Sequence, residues 1–129
     1  MIFVDTNVLM YAVGREHPLR SEAQDFFLSA LETGEVLATS TEVLQELLHA
    51  YLPVGRTGTL DSALALARGR MAQIWSLDLD DVLLARSLVG RYPALGARDL
   101  IHLASCTRRE VQSIKTFDRA LASAFPTHS

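Results

Sequence analysis

Short runs of apolar and β-branched residues alternate along this chain with longer stretches that have the 3.6-residue periodicity of helices. Four such runs are predicted strands: Ile2–Val4, Val36–Thr39, Ile74–Leu77 and Ser113–Thr116. Strands that alternate with helices of ten or more residues form parallel βαβ units with right-handed crossovers. The alternation therefore predicts an α/β fold, a small three-layer domain in which helices flank a central parallel sheet.

Helix ends are marked by residues that cap or interrupt helices. Asp5-Thr6-Asn7 supplies cap residues for the first helix, Gly34 stops the second, and Pro53 ends the third. The stretch 53–58 is the clearest loop. The predicted helices are Val8–Tyr11, Pro18–Leu31, a helix capped by Ser40 or Thr41 that runs to Leu52, Leu60–Ala72, a segment containing Val82 to Leu88, Ala97–Arg108, and a final turn around Ala120 and Leu121.

Composition limits the class of protein. The 129 residues are 49% hydrophobic, which suits a single domain over 1–129 with an ample core. No stretch approaches the roughly 18 uncharged apolar residues of a membrane span. The single cysteine, Cys106, cannot form an internal disulfide, as expected for a protein of the reducing cytoplasm. The net charge of −3 argues at face value against a nucleic-acid partner.

Four acidic residues lie in four separate predicted elements. Asp5 follows the first strand, Glu46 lies in the third helix, Asp99 opens the helix Ala97–Arg108, and Asp118 follows the last strand. Ligand sites in open parallel sheets form beyond the carboxyl ends of the strands, so Asp5 and Asp118 are expected to meet there. Taken singly, Asp5 is better explained as a helix cap, and Asp118 is equally well explained as one. A cluster of carboxylates, however, is most readily explained by a bound hard cation.

Two of the predicted helices carry the more specific candidates for ligand residues. Glu42, Glu46 and His49 share one stripe of the third helix, which is either a solvated face or a ligand set. Asp99 lies in an otherwise apolar helix, where an aspartate is unusual unless it is paired, caps the helix or binds a ligand. His102 and Cys106 lie on the same stripe as Asp99; because their spacing matches no zinc motif, we interpret both as core residues.

The order and spacing of these motifs make the whole chain resemble a PIN-domain ribonuclease, specifically a VapC-type toxin. Each motif is short, but the combination is specific. The segments that carry the resemblance are Val4-Asp5-Thr6-Asn7-Val8-Leu9, Thr39-Ser40-Thr41-Glu42-Val43-Leu44-Gln45-Glu46-Leu47, Ala97-Arg98-Asp99-Leu100-Ile101-His102-Leu103-Ala104 and Thr116-Phe117-Asp118. The sequence departs from the family pattern at Ala120-Leu121, where an acidic–aromatic pair is common.

The resemblance implies a PIN-like fold and a catalytic metal site that binds Mg²⁺, with Mn²⁺ as a substitute. Its ligands are expected to be Asp5, Glu46, Asp99 and Asp118, with Glu42 as a competing candidate for the second acid. Thr6, Asn7 and Thr116 are the expected supporting residues. One or two ions would activate water and stabilise the leaving oxygen during hydrolysis of an RNA phosphodiester, without a protein nucleophile.

Arginine composition bears on RNA binding. The chain has eleven arginines and one lysine, a bias that suits bidentate phosphate contact and that a GC-rich genome would produce equally. Arg15, Arg56, Arg98 and Lys115 are the candidate phosphate contacts. Without the four candidate ligands the remaining charge is −3 + 4 = +1, so the acidity is concentrated in the proposed site and RNA need not be repelled.

The resemblance also implies a cognate antitoxin and a homodimer. Two alternatives compete with the ribonuclease. Glu46-x-x-His49 and Asp99-x-x-His102 loosely echo the motifs of di-iron carboxylate helix bundles, although such bundles lack the strands predicted here. The other alternative is a catalytically inactive PIN-like RNA-binding module. The presence of all four acids argues against it.

Overall fold

The computed structural model describes residues 1–128, which form four strands and seven helices. The strands are β1 (Ile2–Val4), β2 (Leu37–Ser40), β3 (Gln73–Trp75) and β4 (Ser113–Lys115). The helices are α1 (Thr6–Val13), α2 (Pro18–Thr33), α3 (Thr41–Tyr51), α4 (Thr57–Arg70), α5 (Leu79–Leu88), α6 (Ala97–Arg108) and α7 (Arg119–Ala124). Within residues 1–128, no helix has the length and apolar character needed to cross a membrane.

The strands form one parallel sheet in the order β3-β2-β1-β4. β1 is therefore a central strand, with Phe3 opposite Ala38 of β2 and Ile114 of β4. Because the strands are parallel, the residues that follow β1 and β4 lie at the same edge of the sheet. This confirms the predicted α/β fold with a central parallel sheet flanked by helices.

Burial explains why these short strands hold together. All three side chains of β1 are at most 3% exposed, so the strand is covered on both faces, as expected for a parallel sheet. The main core joins the sheet to α1, α2, α3 and α4. A second, smaller cluster joins α5 to α6 through residues that include Ala85, Leu100 and Leu103. Packing of the amphipathic helices on the sheet supplies most of the folding free energy.

Several boundaries differ from the sequence prediction. Strand β2 runs one residue later than predicted, because Val36 is exposed whereas Ser40 is buried, pairs with Trp75 and caps α3. The predicted loop 53–58 is wrong in part. A 3-10 turn over 52–54 carries Pro53 in its first turn, where proline is tolerated, and α4 already begins at Thr57. α6 has the bounds that its apolar pattern predicts.

A buried aspartate joins α5 to the end of α6. Asp78 and Asp81 form a reciprocal capping box at the start of α5. The Asp81 side chain is 0% exposed and accepts hydrogen bonds from Arg108 (2.8 Å) and Arg109 (2.8 and 3.2 Å). Burial alone would raise the pKa of Asp81, but the bonds from Arg109, the Asp78 amide and Arg108 outweigh it and lower the pKa to about 2.

We therefore expect Asp81→Asn to lower the free energy of unfolding by about 2 kcal/mol at neutral pH, as for loss of a hydrogen-bonded charge. Since the folded-state pKa lies below the ordinary value of 3.8, the contribution is fully present above that value. It is lost as the pH falls through about 2. Urea unfolding at pH values from roughly 1 to 7, a range that spans both pKa values, measures the difference between variant and wild type.

The matched control is Asp61→Asn, which removes an exposed carboxylate on α4 that has no ion pair among residues 1–128. Equal stability losses in Asp61→Asn and Asp81→Asn would contradict a specific role for the buried carboxylate.

Candidate metal centre

Four carboxylates from four different elements line one cleft of about 480 Å³. Asp5 follows β1, Glu46 comes from the middle of α3, Asp99 from the first turn of α6, and Asp118 precedes α7. The cleft is completed by Thr6, Asn7, Met10, His49, Ala50 and Arg98. The fold thus brings together the four acids that the sequence predicts as ligands, although they are spread along the chain from Asp5 to Asp118.

Asp5 is the most buried of the four, at 4% exposed. Its Oδ1 accepts a hydrogen bond from the Thr6 amide (2.8 Å) as the cap of α1, and its Oδ2 accepts one from the Thr116 hydroxyl (2.6 Å). Burial raises the pKa of Asp5 above its ordinary value despite the opposing effects of His102 and these two hydrogen bonds. Asp5 therefore caps α1 and lines the acid cleft at the same time.

Asp118 is tied to the same edge of the sheet through Thr116. The Thr116 hydroxyl, which donates to Asp5, also accepts a hydrogen bond from the Asp118 amide (2.9 Å). Asp118 Oδ1 accepts from the Leu121 amide (3.0 Å) and so caps α7. Asn7 Oδ1 accepts from the Phe117 amide (3.1 Å), which fastens the start of α1 to the segment after β4. Thr6, Asn7 and Thr116 thus hold the two sheet-edge acids in place.

Glu46, not Glu42, is the α3 glutamate in the cleft. It accepts a hydrogen bond from the Thr6 hydroxyl and one from His102 Nε2 (2.9 Å). Burial would raise the pKa of Glu46, but His102, Thr6 and the charge of Arg98 together lower it. Glu42 lies one turn earlier, in the first turn of α3, and is absent from the lining of the cleft.

Asp99 carries the least compensated charge. Within the part of the chain from Met1 to His128, no hydrogen bond to its side chain is found. Burial and the neighbouring charges of Asp118 and Asp5 raise its pKa to about 6. Carboxylates that repel one another in a half-buried cleft fit a hard divalent cation, which prefers oxygen ligands and would offset their charge. The donor set therefore fits Mg²⁺ or Mn²⁺.

His102 is buried as predicted, and it also contacts the acids of this cluster. Its side chain is 1% exposed, as predicted, but Nε2 lies 2.9 Å from Glu46 Oε1 and 3.7 Å from Asp5 Oδ1. Because an ionised carboxylate only accepts hydrogen bonds, Nε2 carries the hydrogen. Burial lowers the pKa of His102, but the bond to Glu46 and the charge of Asp5 raise it overall. One nitrogen of His102 is thus a donor to the acids.

The i, i+3 spacing of Asp99 and His102 was the sequence signal that could have identified this histidine, since it places both side chains on one face of α6. Cys106, one turn further on, is 0% exposed and lies in the main core, which confirms its prediction as a core residue. Burial raises the pKa of its thiol far above the ordinary value.

The four predicted phosphate contacts have different outcomes. Arg98 lines the acid cleft, and Arg15 and Arg56 line a neighbouring cavity. The prediction for Lys115 is wrong, because its side chain is only 7% exposed. Its ammonium group lies 3.8 Å from Glu22 and over the rings of Phe26 and Phe117, at 5.6 and 5.2 Å from their centroids. The aliphatic stem and charge of Lys115 are used in packing.

The di-iron alternative requires a helix bundle, and the parallel sheet excludes it. His49, half of one of its motifs, lines the acid cleft but is exposed, and the hydrogen bond of His102 goes to Glu46.

Comparison with known proteins identifies the family of this chain. A model of the PIN domain matches residues 2–124. Ribonuclease VapC23 of Mycobacterium tuberculosis is 61% identical over 125 residues, which cover 97% of this chain and 98% of the relative. Ribonuclease VapC13 of the same species is 37% identical over 123 residues, with 95% and 94% covered.

Solved structures share the fold. The crystal structure of VapC20 from M. tuberculosis, a toxin that cleaves the sarcin-ricin loop, superposes with a TM-score of 0.81 over 96% of this chain and 95% of that chain, at 18% identity. VapBC2 from Rickettsia felis superposes with a TM-score of 0.75 over 99% and 98%, at 17% identity. With its family match over nearly all of its length and a 61% identical relative, this chain belongs to the PIN-domain family, among the VapC ribonucleases.

Proposed function

We propose that this protein is a metal-dependent endoribonuclease that hydrolyses RNA phosphodiester bonds and acts as the toxin of a VapBC-type toxin–antitoxin pair. The observation that carries the proposal is the convergence of Asp5, Glu46, Asp99 and Asp118 in one cleft. The name of the 61% identical relative, a ribonuclease, supports the reaction class.

In the proposed mechanism, the four carboxylates would hold Mg²⁺, or Mn²⁺ in its place, through their oxygen atoms. When bound, such an ion lowers the pKa of water and offsets negative charge on a phosphodiester. Thr116 and the Thr6 amide fix the direction of the Asp5 carboxylate, whereas the Thr6 hydroxyl and His102 fix that of Glu46. The chain's own residues therefore position ligands, and no side chain needs to act as a nucleophile.

Charge arithmetic is compatible with an RNA substrate. The chain carries −3, and the four proposed ligands contribute −4, so the rest carries +1. Arg98 lies at the cleft itself and is the arginine best placed to contact a phosphate beside the acids. The acidity of the protein thus belongs to the proposed site, where a bound cation would neutralise it.

A cognate antitoxin is the proposed protein partner. Two proteins of similar fold support this partner, because their structures are of toxin–antitoxin complexes. They are VapBC2 from Rickettsia felis, solved bound to a promoter DNA fragment, and FitAcB from Neisseria gonorrhoeae, with a TM-score of 0.67. Exposed apolar side chains such as Leu28, Leu31 and Leu83 offer surface for such a partner or for a homodimer. A single-domain organisation and a cytoplasmic location, which suits the unpaired Cys106, remain predictions.

The first test is cleavage of a panel of structured RNAs in the presence of Mg²⁺. We expect Asp99→Asn to reduce cleavage by about a hundredfold or more, because it removes an anionic ligand from the proposed metal site, where even outer partners contribute 10- to 100-fold. Unchanged cleavage by the variant would contradict the mechanism. Wild-type protein that binds RNA without cleaving it would favour the inactive binding module instead.

A matched pair of glutamates tests which residue of α3 is the second ligand. Mn²⁺ should stabilise wild type by about 2.7 kcal/mol at roughly one hundred times its Kd. We expect Glu46→Gln to lose most of this stabilisation and Glu42→Gln to keep it, although both variants remove one charge from α3. Thermal melting with and without Mn²⁺ is the measurement. A larger loss in Glu42→Gln would reverse the assignment.

The contact between His102 and Glu46 predicts energetic coupling in the metal-free protein. A double-mutant cycle with His102→Ala and Glu46→Gln, measured by urea unfolding, should give a coupling energy of about 1 kcal/mol or more. The reason is that His102 is 1% exposed and its Nε2 donates to Glu46 across 2.9 Å. The same cycle with Glu42→Gln is the control. Additive effects for the His102–Glu46 pair would show that the contact does not hold Glu46.

A further inference from the structure

A second cavity, of about 780 Å³, adjoins the acid cleft. The two share Asn7 and Met10 on α1, and the helix continues into the larger cavity through Tyr11 and Gly14. At a rise of about 1.5 Å per residue, Tyr11 lies ~9 Å along the chain direction from Asp5, on the scale of one nucleotide. A polymer bound across the acids would therefore continue into this cavity.

Aromatic rings line the cavity from three elements. Tyr11 lies on α1, His17 caps α2, and Tyr51 ends α3. The rings of Tyr11 and His17 lie against each other with centroids 4.9 Å apart. Tyr11 also meets Phe117, the neighbour of Asp118, edge-on at 5.6 Å. A half-buried ring held in this way offers a rigid platform on which a base can stack.

Two arginines supply positive charge in the same cavity. Among residues 1–128, neither Arg15 nor Arg56 forms an ion pair, whereas Arg108 and Arg109 of α6 are both paired with aspartates. The Arg56 guanidinium lies 5.7 Å from the centroid of the Tyr51 ring, and its Nη2 is 3.4 Å from the Thr59 hydroxyl. Glu16 is the one acid in the lining, so the cavity walls carry a net positive charge.

We propose that this cavity is a nucleotide-binding subsite for single-stranded RNA, which takes the nucleotide next to the one at the acids. Arg15 and Arg56 would contact phosphate, and Tyr11 would stack on a base. The inference rests on the proposed ribonuclease function and extends it. Aromatic rings beside cations without acidic partners match the chemistry of single-stranded RNA better than that of a peptide, which presents no regular line of anions.

The first experiment measures binding of a short fluorescein-labelled single-stranded RNA of mixed sequence. Asp99→Asn protein, with Mg²⁺ present, serves as the slow-cleaving background. We expect Arg15→Gln with Arg56→Gln to weaken binding about tenfold. The slope of log affinity against log salt should fall by about 1.4, since each phosphate contact on a single strand contributes about 0.7.

The matched control, Arg68→Gln with Arg86→Gln, removes the same charge from exposed positions at the ends of α4 and α5. It should leave both affinity and slope close to those of the background protein. Equal losses of RNA affinity in the two double variants would show that overall charge causes the effect, and would overturn the proposed subsite.

The second experiment tests the ring. Tyr11→Leu should weaken RNA binding about tenfold, within the range for loss of one base–aromatic stack, and Tyr11→Phe should restore it. Because Tyr11 also packs against Phe117 and His17, thermal melting must show that both variants fold. A Tyr11→Phe variant that binds as weakly as Tyr11→Leu would contradict stacking.

These outcomes are distinguishable from failure of the ribonuclease itself. If wild type cleaves RNA and the Arg15/Arg56 double variant binds and cleaves like its control, the subsite is wrong and the proposed function stands. If the double variant keeps RNA binding but loses binding of the co-expressed antitoxin, the cavity belongs to the protein partner and the RNA subsite is overturned. If wild type cleaves no RNA in the panel, the proposed function itself fails.

Discussion

The buried carboxylate of Asp5 is the point on which this structure depends. It ends the central strand, caps the first helix through the Thr6 amide, and accepts a hydrogen bond from Thr116 beyond the neighbouring strand. A carboxylate that is 4% exposed is costly unless it is hydrogen-bonded or paired. The hydrogen bonds that offset this cost also set the geometry of the acid cleft, so folding and site formation share the same contacts.

Repulsion among the other carboxylates of the cleft lowers the stability of the folded protein. Asp99 faces the charges of Asp118 and Asp5, which together with burial raise its pKa to about 6. His102 relieves part of this repulsion through its contacts with Glu46 and Asp5, but it reaches only one side of the cluster. Unfavourable like-charge contacts retained in an otherwise well-packed domain are typical of functional sites, where stability is given up for binding.

Two clusters of charged residues in this protein differ in how fully their charges are paired. Asp81 with Arg108 and Arg109 is a compensated cluster, in which each partner is satisfied and the pKa of the acid falls to about 2. The acid cleft is only partly compensated, and the pKa values of Asp5 and Asp99 are raised instead. The two clusters therefore differ in how fully their acids are paired: Asp81 is matched by two arginines, whereas Asp99 faces other carboxylates.

Local signals in the sequence predicted much of the fold. The bounds of α6 followed from its apolar run, Gly34 ends α2 in the left-handed conformation at φ +72°, and the alternation of elements predicted the parallel sheet. Boundaries failed where side-chain burial decided them. Ser40 reads as a simple cap but also belongs to β2, and α4 begins three residues earlier than its first buried residue, Leu60.

Residue order and type thus determined the strands, the helices and the identity of the four candidate acids, because these depend on neighbours in the chain. Only the tertiary structure placed Glu46 in the cleft without Glu42, turned His102 toward the carboxylates, and buried Lys115 between Phe26 and Phe117. Those outcomes depend on contacts between residues far apart in the chain, such as Thr6 with Glu46 and Lys115 with Phe26. Periodicity along one helix carries no information about which distant side chain will face it.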